Sequence, residues 1–126
     1  MALTKTIEID GKQVTFRASA AIPRIYRIRY GRDIMRDLNQ LSKDMEGQEK
    51  DSSKLDTFSL ELFENIAHCM ARHADPKHVP PTPEEWLEEF NFFSIYQVLP
   101  QLLELWGLNV AQDVESKKNF VRLSGN

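Results

Sequence analysis

The chain has little of what marks several protein classes. Its 126 residues include one cysteine, Cys69, so it cannot form an internal disulfide, and a reducing compartment is expected. No apolar run approaches the ~20 residues of a membrane span, and residues 1–17 contain no apolar run of signal-peptide length. The sequence therefore predicts a soluble protein of the cytoplasm that does not enter a membrane.

Lysine and arginine are absent from one long stretch of the chain. Residues 83–112 contain neither, but they carry the glutamates Glu84, Glu85, Glu88, Glu89 and Glu104. The opposite excess lies earlier, in Arg17, Arg24, Arg27, Arg29, Arg32 and Arg36. Such a distribution favours a charge-guided protein contact, within one fold or between copies. An ordinary solvated surface and a nucleic-acid contact are the weaker alternatives, because a net charge of -3 disfavours phosphate binding.

Alternating apolar and polar residues predict a β-hairpin near the start of the chain. A Gly11-Lys12 tip would set Ile9 opposite Val14, whereas an Asp10-Gly11 tip would set Lys12 opposite Ile9. We expect the first register, because it pairs apolar side chains across the strands.

Helical spacing follows the hairpin. Ser19 is the expected N-cap of the first helix, and Gly31 is expected to bend or break it. A broad apolar stripe from Phe58 to Ala74, opened by Asp56 or Thr57, predicts the central core helix.

These elements together predict a mainly α fold. We expect one small helical domain over residues 1–109, with the N-terminal hairpin at 4–18. Residues 43–56 have almost no apolar content and are expected to form a mobile loop. Residues 110–126 are polar with weak periodicity and are expected to form a flexible tail.

A capping box marks the start of the region richest in aromatic residues. Thr82 can cap a helix, Pro83 fits its first position, and Glu85 stands three residues after the cap. We expect a short helix there, then a second one that Pro100 kinks or breaks and that ends at Trp106-Gly107. One face of this second helix is assigned to the core: Ile95, Leu99, Leu102, Leu103 and Trp106.

The remaining aromatic residues of this region could belong to the core or to a partner surface. They are Trp86, Phe90, Phe92, Phe93 and Tyr96. Together with Arg24, Arg27 and Arg29 they form the predicted partner or self-association residues.

Metal binding and catalysis find little support. His68, Cys69, His73, Asp75 and His78 lie close in sequence, but on a helix only Cys69 and His73 share a face, too few ligands for a closed zinc site. We expect a buried cysteine and solvent-facing histidines instead. The sequence has no phosphate-cradling glycine loop or nucleophile-elbow pattern. It predicts a protein that is not an enzyme and needs no cofactor.

Three segments resemble the tail assembly chaperones of long-tailed phages and prophages of Gram-positive bacteria. They are IPRIYRIRYGRDI (22–34), FENIAHCMARHADPKHVPPTPEEWLEEF (63–90) and FFSIYQVLPQLLELWGLN (92–109). The resemblance implies a non-enzymatic protein of the infected bacterial cytoplasm, absent from the finished virion. Its implied partners are the tail tape measure protein, the tail tube protein and other copies of itself.

The resemblance also implies a second, longer form of the protein made by a programmed ribosomal frameshift. Glu115 to Asn119 could be encoded by A-rich slippery codons, which is the place to look for one. The alternative function is that of a small cytoplasmic nucleic-acid-binding or regulatory protein that uses the arginines between Arg24 and Arg36.

Overall fold

A hairpin and a set of helices pack around one long central helix. The computed structural model describes residues 3–46, 56–91 and 94–107. Their elements in chain order are β1 (Leu3–Ile9), β2 (Lys12–Ala18), α1 (Ala21–Tyr30), α2 (Ile34–Glu46), α3 (Thr57–Ala74), α4 (Pro83–Leu87), a 3-10 turn (Ile95–Val98) and α5 (Leu99–Leu105). The predicted mainly α fold with an N-terminal hairpin is confirmed.

The hairpin has the register that we did not expect. Ile9 lies opposite Lys12, and Ile7 lies opposite Val14, so the tip is Asp10-Gly11. Both tip residues have positive φ, 53° at Asp10 and 79° at Gly11. A two-residue turn with this backbone matches the natural twist of the strands, and Asp-Gly is one of the residue pairs that adopt it most readily. Turn geometry therefore outweighs the apolar pairing on which our prediction was based.

Contacts with distant residues stabilise this register. The Asp10 carboxylate accepts hydrogen bonds from the Asn91 amide and the Ser94 hydroxyl. Lys12, on the inward side of β2, donates from Nζ to the Glu89 carbonyl at 2.9 Å and lies 5.6 Å from the centroid of the Phe90 ring. A lysine opposite Ile9 is thus accommodated, because its stem crosses apolar surface while its ammonium finds an acceptor.

Gly31 separates the next two helices, as expected. It has φ 68° and closes α1 by donating to the Arg27 carbonyl at 2.8 Å, a left-handed helix end that glycine adopts without strain. Ser19 is not the N-cap, which is Ala20, although the Ser19 hydroxyl accepts from the Ala21 amide. Residues 43–46 of the loop expected at 43–56 belong to α2 instead, where Met45 is buried, and residues 47–55 lie outside the described residues.

Helix α3 is the central core helix, as predicted. Asp56 caps it by accepting from the Ser59 amide at 2.8 Å, an arrangement typically worth about 1 kcal/mol. It contacts β2, α1, α2, α4 and α5. Its buried apolar residues are Leu62, Phe63, Ile66, Ala67, Cys69, Met70 and Ala71. Phe58 was wrongly assigned to the stripe: it is 53% exposed and its ring lies 5.1 Å from the Arg32 guanidinium.

The C-terminal helices follow the predicted capping pattern. The Thr82 hydroxyl accepts from the Glu85 amide at 3.2 Å, the first bond of the predicted capping box. The Glu85 carboxylate then accepts from the Thr82 hydroxyl at 3.0 Å, a side-chain bond in place of the reciprocal bond from the Thr82 amide. Pro100 falls in the first turn of α5, where its missing amide proton costs nothing, and the preceding residues form the 3-10 turn. The expected break at Pro100 is confirmed. Residues 110–126 lie outside the described part.

Candidate protein interaction surfaces

Trp86 belongs to the core and not to a partner surface. It is 1% exposed and makes edge-to-face contacts with Phe16 and Phe90, with centroid distances of 6.2 Å and 5.2 Å. The His68 ring lies 5.8 Å away. The Trp86 ring thus lies between β2, which carries Phe16, and α3, which carries His68. A partner could therefore reach Trp86 only by opening the fold.

Two other predicted aromatic residues are half-buried. The Phe90 ring packs edge-on against Trp86 beside Lys12. The Tyr96 hydroxyl donates to Glu64 at 2.9 Å, and its ring lies 6.0 Å from that of Phe63. Burial and this hydrogen bond raise the pKa of Tyr96 to about 12. Each side chain thus has a role inside the fold and offers only part of its ring to solvent; Phe92 and Phe93 lie outside the described residues.

The arginines predicted to form a basic surface divide into two groups. Arg32 binds the Asp37 carboxylate through two hydrogen bonds of 2.8 Å, and Arg29 donates to the Pro81 carbonyl at 2.7 Å. The side chains of Arg24 and Arg27 are exposed on the outer side of α1, and neither makes a hydrogen bond or ion pair with a residue of the described ranges. A partner can therefore bind these two side chains without the loss of an internal contact.

Asp37 is a buried carboxylate whose role the charge pattern did not reveal. It is 1% exposed, and the Tyr26 hydroxyl donates to it at 2.7 Å in addition to the Arg32 bonds. Burial alone would raise its pKa, but the hydrogen bonds from Arg32 and Tyr26 outweigh that effect and hold the pKa below its usual range. In the sequence its only signal is its place on the apolar side of α2, between Ile34 and Leu38.

The glutamates of α4 also divide into two groups. The Glu85 carboxylate accepts from the Thr82 hydroxyl, whereas the carboxylates of Glu84, Glu88 and Glu89 are exposed and make no hydrogen bond or ion pair with the residues described. The Arg29 bond to Pro81 brings the end of α1 close to the start of α4. Even so, within the described ranges no ion pair shorter than 4.0 Å joins the two helices. The two charged sets therefore do not neutralise each other within one chain.

The histidines differ from the expectation that all face solvent. His68 is fully buried, and its Nε2 donates to the Pro80 carbonyl at 2.8 Å, which leaves Nδ1 unprotonated and without a partner in the described structure. Burial lowers the pKa of His68. His73 is half-buried and its Nε2 lies 3.2 Å from the Ser19 hydroxyl, while His78 is exposed and pairs with Asp75.

These polar groups form neither a metal site nor a catalytic triad in the described residues. No group of three or more histidine, cysteine, aspartate or glutamate side chains is placed to hold a metal ion there. The Ser19–His73 pair has no carboxylate hydrogen-bonded to the imidazole in the same ranges. Cys69 is buried as expected, and burial raises its pKa to about 11, so it is a thiol at neutral pH.

An apolar groove lies where the start of β1, the start of α1 and the end of α5 meet. Its volume is about 450 Å³. Its apolar walls include Leu3, Ala18, Pro23, Leu105 and Trp106, and Glu104 lies at its rim. Leu3 is 54% exposed, and Trp106 is half-buried with its indole Nε1 donating to the Met70 sulfur at 3.3 Å. This groove is the accessible apolar site that sequence reasoning missed, because it forms only when residues a hundred positions apart meet.

Comparison with known proteins leaves the resemblance of the three segments as the only family evidence. No family model, curated protein or solved structure matches this chain. In the described part of the chain no helix combines the length and apolar character needed to cross a bilayer. The function must therefore be argued from the surfaces described above.

Proposed function

We propose that this chain is a tail assembly chaperone of a long-tailed phage or prophage. In this role it binds the tape measure protein and tail tube subunits in the host cytoplasm, performs no catalysis and is absent from the finished virion. The residue patterns of segments 22–34, 63–90 and 92–109 support the proposal. The structural observation that carries it is the open apolar groove between the hairpin and α5.

The groove suits an apolar helical segment of the tape measure protein. Its walls come from β1, β2, α1 and α5 and form a shallow, open depression, and exposed apolar surface of this kind marks binding grooves in soluble proteins. An amphipathic helix can place its apolar face in such a groove. The chaperone would cover that face until tube subunits replace it.

Charge at the rim restricts the partner further. Glu104 is 56% exposed, and its nearest cation is Lys5 at 4.0 Å, a loose contact that leaves the carboxylate able to accept a second cation. We therefore expect a tape measure segment in which a lysine or arginine flanks the apolar face. The proposed contact residues for the tape measure protein are therefore Leu3, Leu105 and Trp106, and no longer include Trp86.

Gene order and co-purification test the proposal. A tail tube gene upstream and a very long gene for a tape measure protein downstream are expected to flank this one. A slippery heptamer near codons 117–119, with an overlapping frame after it, is expected if a longer form is made. The tape measure protein should co-purify with this chain when the two are co-expressed. Neighbouring genes of unrelated function together with no co-purification would refute the proposal.

A further inference from the structure

The outer side of α1 combines unpaired cations with an exposed apolar residue. Arg24 and Arg27 flank Ile28, which is 69% exposed, the highest value among the exposed large apolar side chains described. Arg27 and Ile28 lie three and four positions after Arg24, so the three side chains occupy one side of the helix. Arg29 and Arg32, by contrast, are tied to Pro81 and Asp37. The outer side of α1 thus presents two arginine side chains without an internal partner beside an exposed apolar side chain.

The acidic side of α4 has the complementary character. Glu84 and Glu88 stand one helical turn apart, and Glu89 follows at the helix end, all three exposed and without an ionic partner in the described ranges. The absence of lysine and arginine from residues 83–112 means that no cation on this segment competes for the carboxylates.

We propose that a second copy of this chain docks the glutamates of its α4 against Arg24, Arg27 and Ile28 of the first copy. Within the described residues of one chain no ion pair joins the two sets, although Arg29 reaches Pro81. Contact between two copies can bring the two sets together. Complementary charges then set the partner and the orientation, while burial of Ile28 adds apolar contact area.

The self-association constant should depend on salt. The unpaired charges are exposed, and charges further apart than about 8 Å are screened at physiological ionic strength. Sedimentation equilibrium of the full chain should show masses above the monomer at low salt and the monomer at high salt. This experiment uses the chain alone, so its outcome is independent of whether a tape measure protein binds the groove.

Charge exchange identifies the two faces. R24E/R27E makes both faces acidic and E88K/E89K makes both basic, so each variant alone should associate more than roughly tenfold more weakly than the wild type. Mixing the two variants should restore association, because opposite faces meet again. The matched controls are K43E/K77E and E8K/E61K, which change exposed residues elsewhere by the same charge and should associate like the wild type.

The outcomes decide the proposal. Far-UV circular dichroism should show that each variant keeps its helices. If a variant does not, the neutral variant R24Q/R27Q or E88Q/E89Q replaces it. Each neutral variant should also associate more weakly than the wild type. A wild-type chain that stays monomeric at every salt and concentration would overturn the proposal, and so would a mixture no heavier than its components. Salt-sensitive retention of duplex DNA by a monomeric wild type, lost in R24E/R27E, would assign the α1 face to nucleic acid instead.

Discussion

Arg32 donates two parallel hydrogen bonds to the buried carboxylate of Asp37, from Nε to Oδ2 and from Nη2 to Oδ1, each 2.8 Å long. Such bidentate pairs fix both distance and orientation. Arg32 lies in the link between α1 and α2, and Tyr26 of α1 donates to the same carboxylate. The Asp37 carboxylate therefore links α2 to α1 across the break at Gly31.

Replacing this carboxylate should destabilise the protein. Asp37→Asn removes the charge and leaves Tyr26 and Arg32 competing for one acceptor oxygen, so we expect a loss of about 1–3 kcal/mol in the free energy of unfolding. The loss in free energy of unfolding should lie at the lower end of this range if water replaces Asp37 as the hydrogen-bond partner of Arg32, since the Arg32 side chain is 40% exposed. Urea unfolding at neutral pH measures the loss.

The difference in free energy of unfolding between the wild type and Asp37→Asn should become smaller at acidic pH. The pKa of Asp37 is lowered in the folded state, so its contribution is complete above the unfolded pKa of about 3.9 and is lost as the pH falls through the folded value. The matched control is Asp33→Asn, because Asp33 is exposed and an asparagine there can still accept from the Met35 amide. Equal stability of Asp37→Asn and the wild type at neutral pH would contradict the role given to Asp37.

Trp86 should behave as a core residue. Trp86→Ala removes a side chain that is 1% exposed and in contact with Phe16, His68 and Phe90, so a loss of about 3–5 kcal/mol is expected. Phe58→Ala, which removes an exposed ring, should cost no more than about 1 kcal/mol. Chemical unfolding of both variants makes the comparison. A Trp86→Ala protein of wild-type stability that failed to bind its partner would return Trp86 to the interaction surface.

His68 should make stability depend on pH. Its pKa is lowered in the folded state, so the unfolded chain binds the proton first as the pH falls through about 6.5. The free energy of unfolding should therefore decline below that pH until the folded pKa is reached. His68→Gln keeps a donor for the Pro80 carbonyl but does not titrate, so the wild type should gain stability relative to it as the pH rises from about 5.5 to 7.5.

The exposed His78 provides the comparison for that pH profile. Its ring pairs with the Asp75 carboxylate at the surface, and within the described residues that ring makes no hydrogen bond to a backbone carbonyl. His78→Gln should retain the wild-type decline caused by His68. If His68→Gln retains that decline as well, another group is responsible for it.

Features determined by neighbouring residues were predictable from the sequence. Thr82 caps α4 by accepting from the Glu85 amide, Gly31 ends α1 through its own backbone, and Pro100 is favoured in a first turn. These helix ends follow from local rules, whereas the N-cap of α1 at Ala20 and the extension of α2 to Glu46 were not predicted. The core positions of α3 were predictable for the same reason, except for Phe58 at its first turn.

Features determined by distant residues were not predictable. The hairpin register is stabilised by the contacts of Asp10 with Asn91 and Ser94, more than 80 positions away in sequence. His68 is buried because the connector before α4 folds over it and supplies the Pro80 carbonyl. The groove needs Leu3 and Trp106 to meet, and nothing local to either residue indicates that they do.

Binding of the tape measure protein through the groove is the central claim. Leu3→Ser combined with Leu105→Ser removes apolar contact area from the groove walls, and Met35→Ser combined with Phe58→Ser removes exposed apolar residues elsewhere. Each leucine buried in a complex contributes about 1.5–3 kcal/mol, so losing two should weaken binding by tenfold or more. Urea unfolding first establishes that both variants are folded.

The most direct measurement is the dissociation constant between this chain and the tape measure protein of the same genome, determined for the wild type and the two double variants. The account predicts that the groove variant binds at least roughly tenfold more weakly, while the control variant binds like the wild type. Equal binding by the groove variant and the wild type, or no binding by any of the three proteins, would contradict it.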